Sequence, residues 1–361
     1  MTRLALRLLV AAGILLGTTG ALAQTTFLGS EACRECHWEQ WSAFRGSGHP
    51  FALRANSDSR PLPVPEGYDW SDIRWVIGGH TQRANYLDDD GYVITRINPG
   101  LPDEEAGQNE YDLGTNQWVD EFAGELKSFD CGGCHTTGFG AGGSNPLPGV
   151  QGTWSLDGVQ CEACHGAASA HVMPPYGDID VHVDAAQCGG CHRNGDLNQV
   201  PAAEGFLSPN AQYNELLASP HDNRNCVECH DPHERSDRGI RTECTDCHAH
   251  TDKASRRDFK PLGRRHLDRG LRCWDCHMPY VVKQSGSESR WKADARSHLF
   301  KISMDKDAEM FNFDGSRSTG VLTPGVACLG CHVEEARKWE ERGKPWKAER
   351  WARRNGAKIH K

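Results

Sequence analysis

This chain has no cysteine outside one fixed five-residue pattern, no long hydrophobic run, no excess of basic charge and few apolar residues. Each absence excludes something. The one apolar run, Leu8–Leu16 behind Arg3 and Arg7, falls short of the ~20 residues that a membrane-spanning helix needs. Forty Lys and Arg stand against 49 Asp and Glu, a net charge of −9, which argues against nucleic acid as a partner. Apolar residues make up 37 % of the 361 residues and the mean hydropathy is −0.64, little for a self-sufficient core in a chain of this length. Something other than side chains must fill the interior.

What is present is a repeat. C-x-x-C-H occurs eight times, with its cysteines at Cys33/Cys36, Cys131/Cys134, Cys161/Cys164, Cys188/Cys191, Cys226/Cys229, Cys244/Cys247, Cys273/Cys276 and Cys328/Cys331, which accounts for all sixteen. The histidines that close them are His37, His135, His165, His192, His230, His248, His277 and His332. Paired cysteines also bind zinc, and an even count also suits disulfides, but neither explains a histidine after every pair. The spacing is the attachment signature of c-type haem: two thiolates add to the vinyl groups and the histidine takes an axial position on iron. Eight covalent c-type haems are expected, and they would supply the missing core. Without them the chain should not fold.

Arg3, Arg7, the run Leu8–Leu16 and the small-residue stretch Ala21-Leu22-Ala23 have the form of a signal peptide, so residues 1–23 are expected to be removed and the mature chain to begin at Gln24. Export matches the compartment where haem attachment takes place, the periplasm or the cell exterior. The mature chain divides into residues 24–130, with the first haem and a haem-poor β insert; a seven-haem core, 131–332; and a basic C-terminal helix, 333–361. Strand patterns at Ile73–Ile77, Ala84–Leu87 and Tyr92–Ile97, the last two joined by the Asp88–Gly91 turn, place a small β element at about 70–97. Asn210–Ala218 has helical spacing, and residues 331–354 are expected to form the longest helix. Gly138–Gly152 reads as a surface loop. The fold class expected is mainly α with much irregular chain, organised around the haems.

Ten histidines lie outside the motifs, against eight vacant axial positions. His49, His80, His171, His221, His233, His266 and His298 are the seven chosen as distal ligands. The eighth stays open between His182 and His250, with His360 set aside in a terminus expected to fray. Two histidines on each iron give a low-spin, six-coordinate centre that exchanges electrons and leaves no room for substrate.

Leu28-Gly-Ser-Glu-Ala-Cys33 and Gly46-Ser-Gly-His49 resemble the tetrahaem cytochromes of nitrifying bacteria. Cys229-His-Asp-Pro-His233, His266 ahead of Cys273-Trp-Asp-Cys-His-Met-Pro-Tyr280, and Arg296-Ser-His298 are similar to the haem core of the pentahaem nitrite reductases and octahaem hydroxylamine oxidoreductases. The resemblance implies closely packed haem pairs in a mostly helical shell and supports His49, His233, His266 and His298 as distal ligands. The chain departs from the reductases in that no motif replaces its histidine with lysine. None of the seven tyrosines matches the context of the oxidoreductase cross-link.

These observations lead first to an octahaem electron carrier, with no catalytic residue assigned. One alternative is an oxidoreductase of a small nitrogen or sulfur oxyanion, with one open haem and Arg193, Arg264 or Arg265 orienting the anion. Another is a subunit of a cytochrome filament in which His360 or His182 completes a haem in the next copy. Expected partners are redox proteins, a membrane quinol oxidase or another cytochrome among them.

Overall fold

The computed structural model describes residues 25–360 apart from 57–61, 98–99, 101–103, 108, 121, 175, 182 and 249–258. The expected signal peptide, His182 and His250 therefore lie outside the described residues. No described helix is long and apolar enough to cross a membrane.

The expectation of a mainly α protein is overturned: helix accounts for only 27 % of the chain and strand for 21 %, in several sheets. The reason is local. Helices at the C-x-x-C-H motifs are about one turn long, such as Cys161–His165 and Cys273–His277. A single turn cannot stand on its own hydrogen bonds, so the structure between motifs is carried by sheets.

The haem-poor insert builds a seven-stranded antiparallel sheet, larger than the hairpin expected. Its path runs Leu53–Ala55, Ile73–Gly78, Arg83–Asp88, Tyr92–Val93, Lys127–Ser128, with Glu110–Asp112 added beside Arg83–Asp88 and Gln117–Val119 beside Glu110–Asp112. Leu53, Leu87, Val93 and Phe129 are buried in one cluster, and Ile73, Val76, Ala84 and Tyr86 in another. Period-2 alternation thus gives the insert a core of its own.

A second sheet of five strands was not expected. Its order is Lys292–Arg296, Tyr280–Ser289, Phe206–Leu207, Val200–Ala203, Arg317–Ser318, with a parallel pairing between Leu207 and Val282. Val200, Phe206, Leu207, Val281, Val282 and Leu299 form its buried face. The hairpin at its edge turns through Arg290 and Trp291, since Ser289 pairs with Lys292. Neither turn residue is one that hairpins favour. Burial holds the turn instead: Trp291 packs with Leu329, Ala336, Ala348 and Ala352, and its Nε1 donates to Glu340 Oε1 at 2.5 Å.

The C-terminal segment forms two helices, Val333–Glu340 and Pro345–Gly356, rather than one. Gly343 takes φ 64° and Pro345 follows, which ends the first helix and starts the second. The terminus does not fray. Phe259 pairs with His360 as an isolated bridge, and Lys260 N–H donates to Ile359 O at 2.9 Å.

Trp291→Ala should destabilise the haem-loaded protein by about 3–5 kcal/mol, because it empties the joint between the hairpin and the C-terminal helices. Phe313→Ala, at a side chain fully in solvent, should change stability by less than ~0.5 kcal/mol. Denaturant midpoints for the two variants check this, and equal effects would contradict the packing described.

Candidate haem-binding sites

Each motif closes on itself in the same way. The C=O of the first cysteine accepts from the histidine N–H four residues on, at 2.8 Å in Cys33–His37, 3.1 Å in Cys131–His135 and 2.9 Å in Cys188–His192, Cys226–His230, Cys244–His248 and Cys328–His332. One α-turn therefore puts both thiols and the ring on adjoining positions of one face. Three motifs have an acid just before the second cysteine that reaches back over the turn. Glu228, Asp246 and Asp275 accept from the N–H of Asn225, Glu243 and Arg272 at 2.7, 2.9 and 2.8 Å. This is half of a capping box, and it holds a helix too short to hold itself.

None of the sixteen cysteines is joined to another in a disulfide. Among the described residues no three His, Cys, Asp or Glu side chains converge as a metal cluster.

The histidines are brought together in pairs. Ring centres lie 6.4 Å apart in His37–His171, 6.3 Å in His192–His49 and His165–His233, and 6.0 Å in His248–His221 and His332–His266. They lie 6.1 Å apart in His230–His298 and His277–His360. Every pair joins one motif histidine to one histidine outside a motif. The separations span only 0.4 Å while the interplanar angles run from 6° to 89°. Ring-on-ring attraction would constrain the angle as well as the distance. Two imidazoles on opposite sides of one iron constrain only the distance: ~2.0 Å from iron to each nitrogen and ~1.2 Å more to each ring centre gives ~6.4 Å. The observed gaps fit an iron atom.

Six of the expected distal histidines, His49, His171, His221, His233, His266 and His298, stand in such pairs. The seventh, His80, sits in the turn between Ile73–Gly78 and Arg83–Asp88, its ring centred 4.5 Å from that of Phe51. The motif histidine left for it, His135, is anchored next door, with its Nδ1 donating to Ala52 O at 2.8 Å. His360, set aside from the sequence, stands opposite His277. The only signal for it was its count among the spare histidines, because the bridge to Phe259 that positions it joins residues 101 apart.

Tautomers follow from the anchors. The Nδ1 atoms of His165, His171, His266 and His277 donate to the carbonyls of Asp180, Gly177, Leu262 and Phe300 at 2.6 to 2.9 Å, and His233 Nδ1 donates to the Asp231 carboxylate at 3.0 Å. A carbonyl can only accept, so the proton is on Nδ1 and Nε2 is left bare for a metal. Burial also keeps rings neutral. It holds His49, His192, His221, His230, His332 and His360 below the usual histidine range and brings His298 down to about 4. Burial raises the neighbouring Glu215, which accepts from His298 N–H at 2.6 Å, to about 7.

Between the rings lies one cavity of about 3480 Å³, lined by residues of seven motifs. Pockets for single small molecules reach ~1,000 Å³, so this one has room for several large groups. Its residues fit haem in volume, in thiol placement and in the gaps between imidazoles. The second-sphere brace at the third motif is Glu162, 2 % exposed, whose carboxylate accepts from the N–H groups of Leu28, Gly29 and Ala168 at 2.7 to 2.9 Å. It ties the N-terminal segment to Cys161–His165.

Two family models match within the chain, cytochrome c3 over residues 154–249 and cytochrome c554 and c-prime over residues 107–166. The second falls away from residues 28–49, where the nitrifier resemblance lies. No curated protein matches. Among solved structures, the outer cell wall cytochrome OcwA superposes with a TM-score of 0.55 at 19 % identity, covering 88 % of this chain and 87 % of its own. The octaheme sulfite reductase MccA of Wolinella succinogenes superposes at 0.57 with 16 % identity, covering 85 % of this chain and 65 % of its own. The motifs, the family models and the fold together define the class: a multihaem c-type cytochrome that binds haem covalently.

Glu162→Ala should cost about 2–3 kcal/mol, since it leaves three N–H groups without their charged acceptor. Limited proteolysis of the haem-loaded protein should then cut within residues 25–32 faster than in wild type. Unchanged cleavage would show that this tether carries no load.

Proposed function

We propose that the chain is an exported electron carrier with eight haems, each bound by two histidines. The observation that carries this reading is the set of seven histidine pairs with centres 6.0–6.4 Å apart. The common anchoring of His80 and His135 on Phe51–Ala52 supports them as the eighth pair. The distal set is then His49, His80, His171, His221, His233, His266, His298 and His360, and neither His182 nor His250 is required. Bound haem supplies reversible one-electron chemistry at iron. The chain supplies spacing, neutral ligands and a low-dielectric interior.

Contacts between motifs support a relay order. Numbered along the chain, motifs 1 and 3 touch through the Cys33 and Cys161 thiols, and 3 and 4 through Gln187 Nε2, which donates to Cys164 O at 2.5 Å. Motifs 4 and 5 touch at Cys188–Cys226 and 6 and 7 at Cys244–Cys273, while 5 and 6 are joined through His221, five residues before Cys226, whose ring pairs with His248. Motif 8 adjoins motif 7, whose helix Cys273–His277 contacts the helix Pro324–Leu329 that leads into motif 8. Motif 2 branches from motif 4: Cys134 Sγ is 4.0 Å from Gly190 O, and Cys191 Sγ is 3.9 Å from Gly133 O. A line 1-3-4-5-6-7-8 with one branch serves conduction between two ends. The likeness in fold to an outer cell wall cytochrome supports a place at the cell surface.

Intact mass and pyridine haemochrome should both give eight haems. Carbon monoxide, which needs a vacant axial site, should not bind the dithionite-reduced protein, and His360→Ala should create one binding haem. Stoichiometric binding by the wild type would mean an open iron and favour the oxyanion oxidoreductase, and a silent His360→Ala would break the His277–His360 assignment.

A further inference from the structure

Motif 8 differs from the rest. The cavity shared by the other seven motifs is not lined by Cys328, Cys331 or His332. It is also one end of the relay line. The two C-terminal helices pack directly over it, with the Trp351 ring centred 5.1 Å from that of His332.

These helices are apolar on the inside and basic on the outside. Ala336, Ala348 and Ala352 are buried against Trp291 and Leu329, with Trp339 and Trp351 packed beside them. Residues 333–361 carry ten Lys or Arg and five Glu, in a chain that is −9 overall. The five acids are engaged: Glu334 and Glu341 with Arg337, Glu335 with Lys338, Glu340 with Trp291 and Arg290, and Glu349 beside Arg290 and Arg353. Arg342, Lys344, Lys347, Arg350 and Arg354 carry no counter-ion among the described residues. Arg342 and Lys347 lie over the ring of Trp339 at 5.7 and 5.1 Å, and Lys347 lies 5.4 Å from the centre of Trp346, whose side chain is 54 % exposed. Uncompensated basic side chains and an exposed tryptophan thus share the helices that pack over motif 8.

We propose that this face docks a separate, acidic redox protein and exchanges single electrons with it at motif 8. The inference rests on the reading of motif 8 as a haem site. One electron passes between the partner and the iron held by His332 and His266; no bond forms or breaks, and the partner supplies or takes the electron. Charge complementarity selects such a partner: the basic side chains steer an acidic protein and set its orientation, while the surface tryptophan supplies an apolar contact. A lipid surface fits less well, because an interfacial helix inserts a broad apolar face and here the apolar faces are already buried.

Flavodoxin, a small acidic one-electron protein, is the probe. Its binding to the haem-loaded full chain is measured by surface plasmon resonance, and haem reduction by reduced flavodoxin is followed beside reduction by dithionite. Binding should weaken at least about tenfold between low salt and ~200 mM salt. The triple variant Lys344→Glu/Lys347→Glu/Arg350→Glu should slow reduction by flavodoxin at least about tenfold and leave reduction by dithionite unchanged. Equal flavodoxin rates in variant and wild type would overturn the proposal. So would anionic phospholipid vesicles binding where flavodoxin does not, or salt-sensitive self-association of the wild type that the variant abolishes without altering flavodoxin exchange. A count of seven haems, with motif 8 empty, would instead sink the reading of the site itself.

Discussion

Everything in this structure depends on one spacing: two imidazole rings held with their centres about 6 Å apart, a gap that suits a metal between them. The spacing recurs seven times at 6.0–6.4 Å, with ring angles free to vary. One ring comes from a C-x-x-C-H turn and the other from a distant part of the chain, no nearer than the 27 residues between His221 and His248. His165 meets His233, 68 residues on, and His277 meets His360, 83 residues on. A chain with such demands at so many points has little freedom to form long helices.

That constraint explains the architecture. Motif helices are cut to about a turn, three of them braced by their own acids, and the load is moved to two sheets that act as frames. The insert sheet carries His80 in one of its turns, and the strand Lys292–Arg296 ends just before His298. Arg296 clamps the seventh motif, donating to Trp274 O at 3.0 Å, Met278 O at 2.9 Å and the Asp275 carboxylate at 3.0 Å. The interior left between the frames is a single large cavity, which accounts for the low apolar content of the chain. Side chains alone do not fill it.

The sites were more legible in the sequence than the fold. A covalent motif specifies its own local geometry, so Cys33 to His332 could be read directly. Spare histidines could be picked where a local turn or helix end presents them, as at His49, His221 and His233. His360 could not, because its position depends on a tertiary bridge to Phe259. The helical expectation, which the resemblance carried, failed for a related reason: each motif needs only one turn. The Tyr280–Arg296 hairpin escaped notice because its turn, Arg290-Trp291, is held by burial of the tryptophan and has no turn signature. The break at Gly343–Pro345 was visible in principle, and the charge pattern across it outweighed the two residues that stop a helix.

The spin state of the irons tests the central claim most directly. In the EPR spectrum of the fully oxidised protein, integrated against total haem, paired histidines on every iron predict low-spin signals only. A high-spin signal amounting to one haem or more would show an iron without its second histidine and contradict the account.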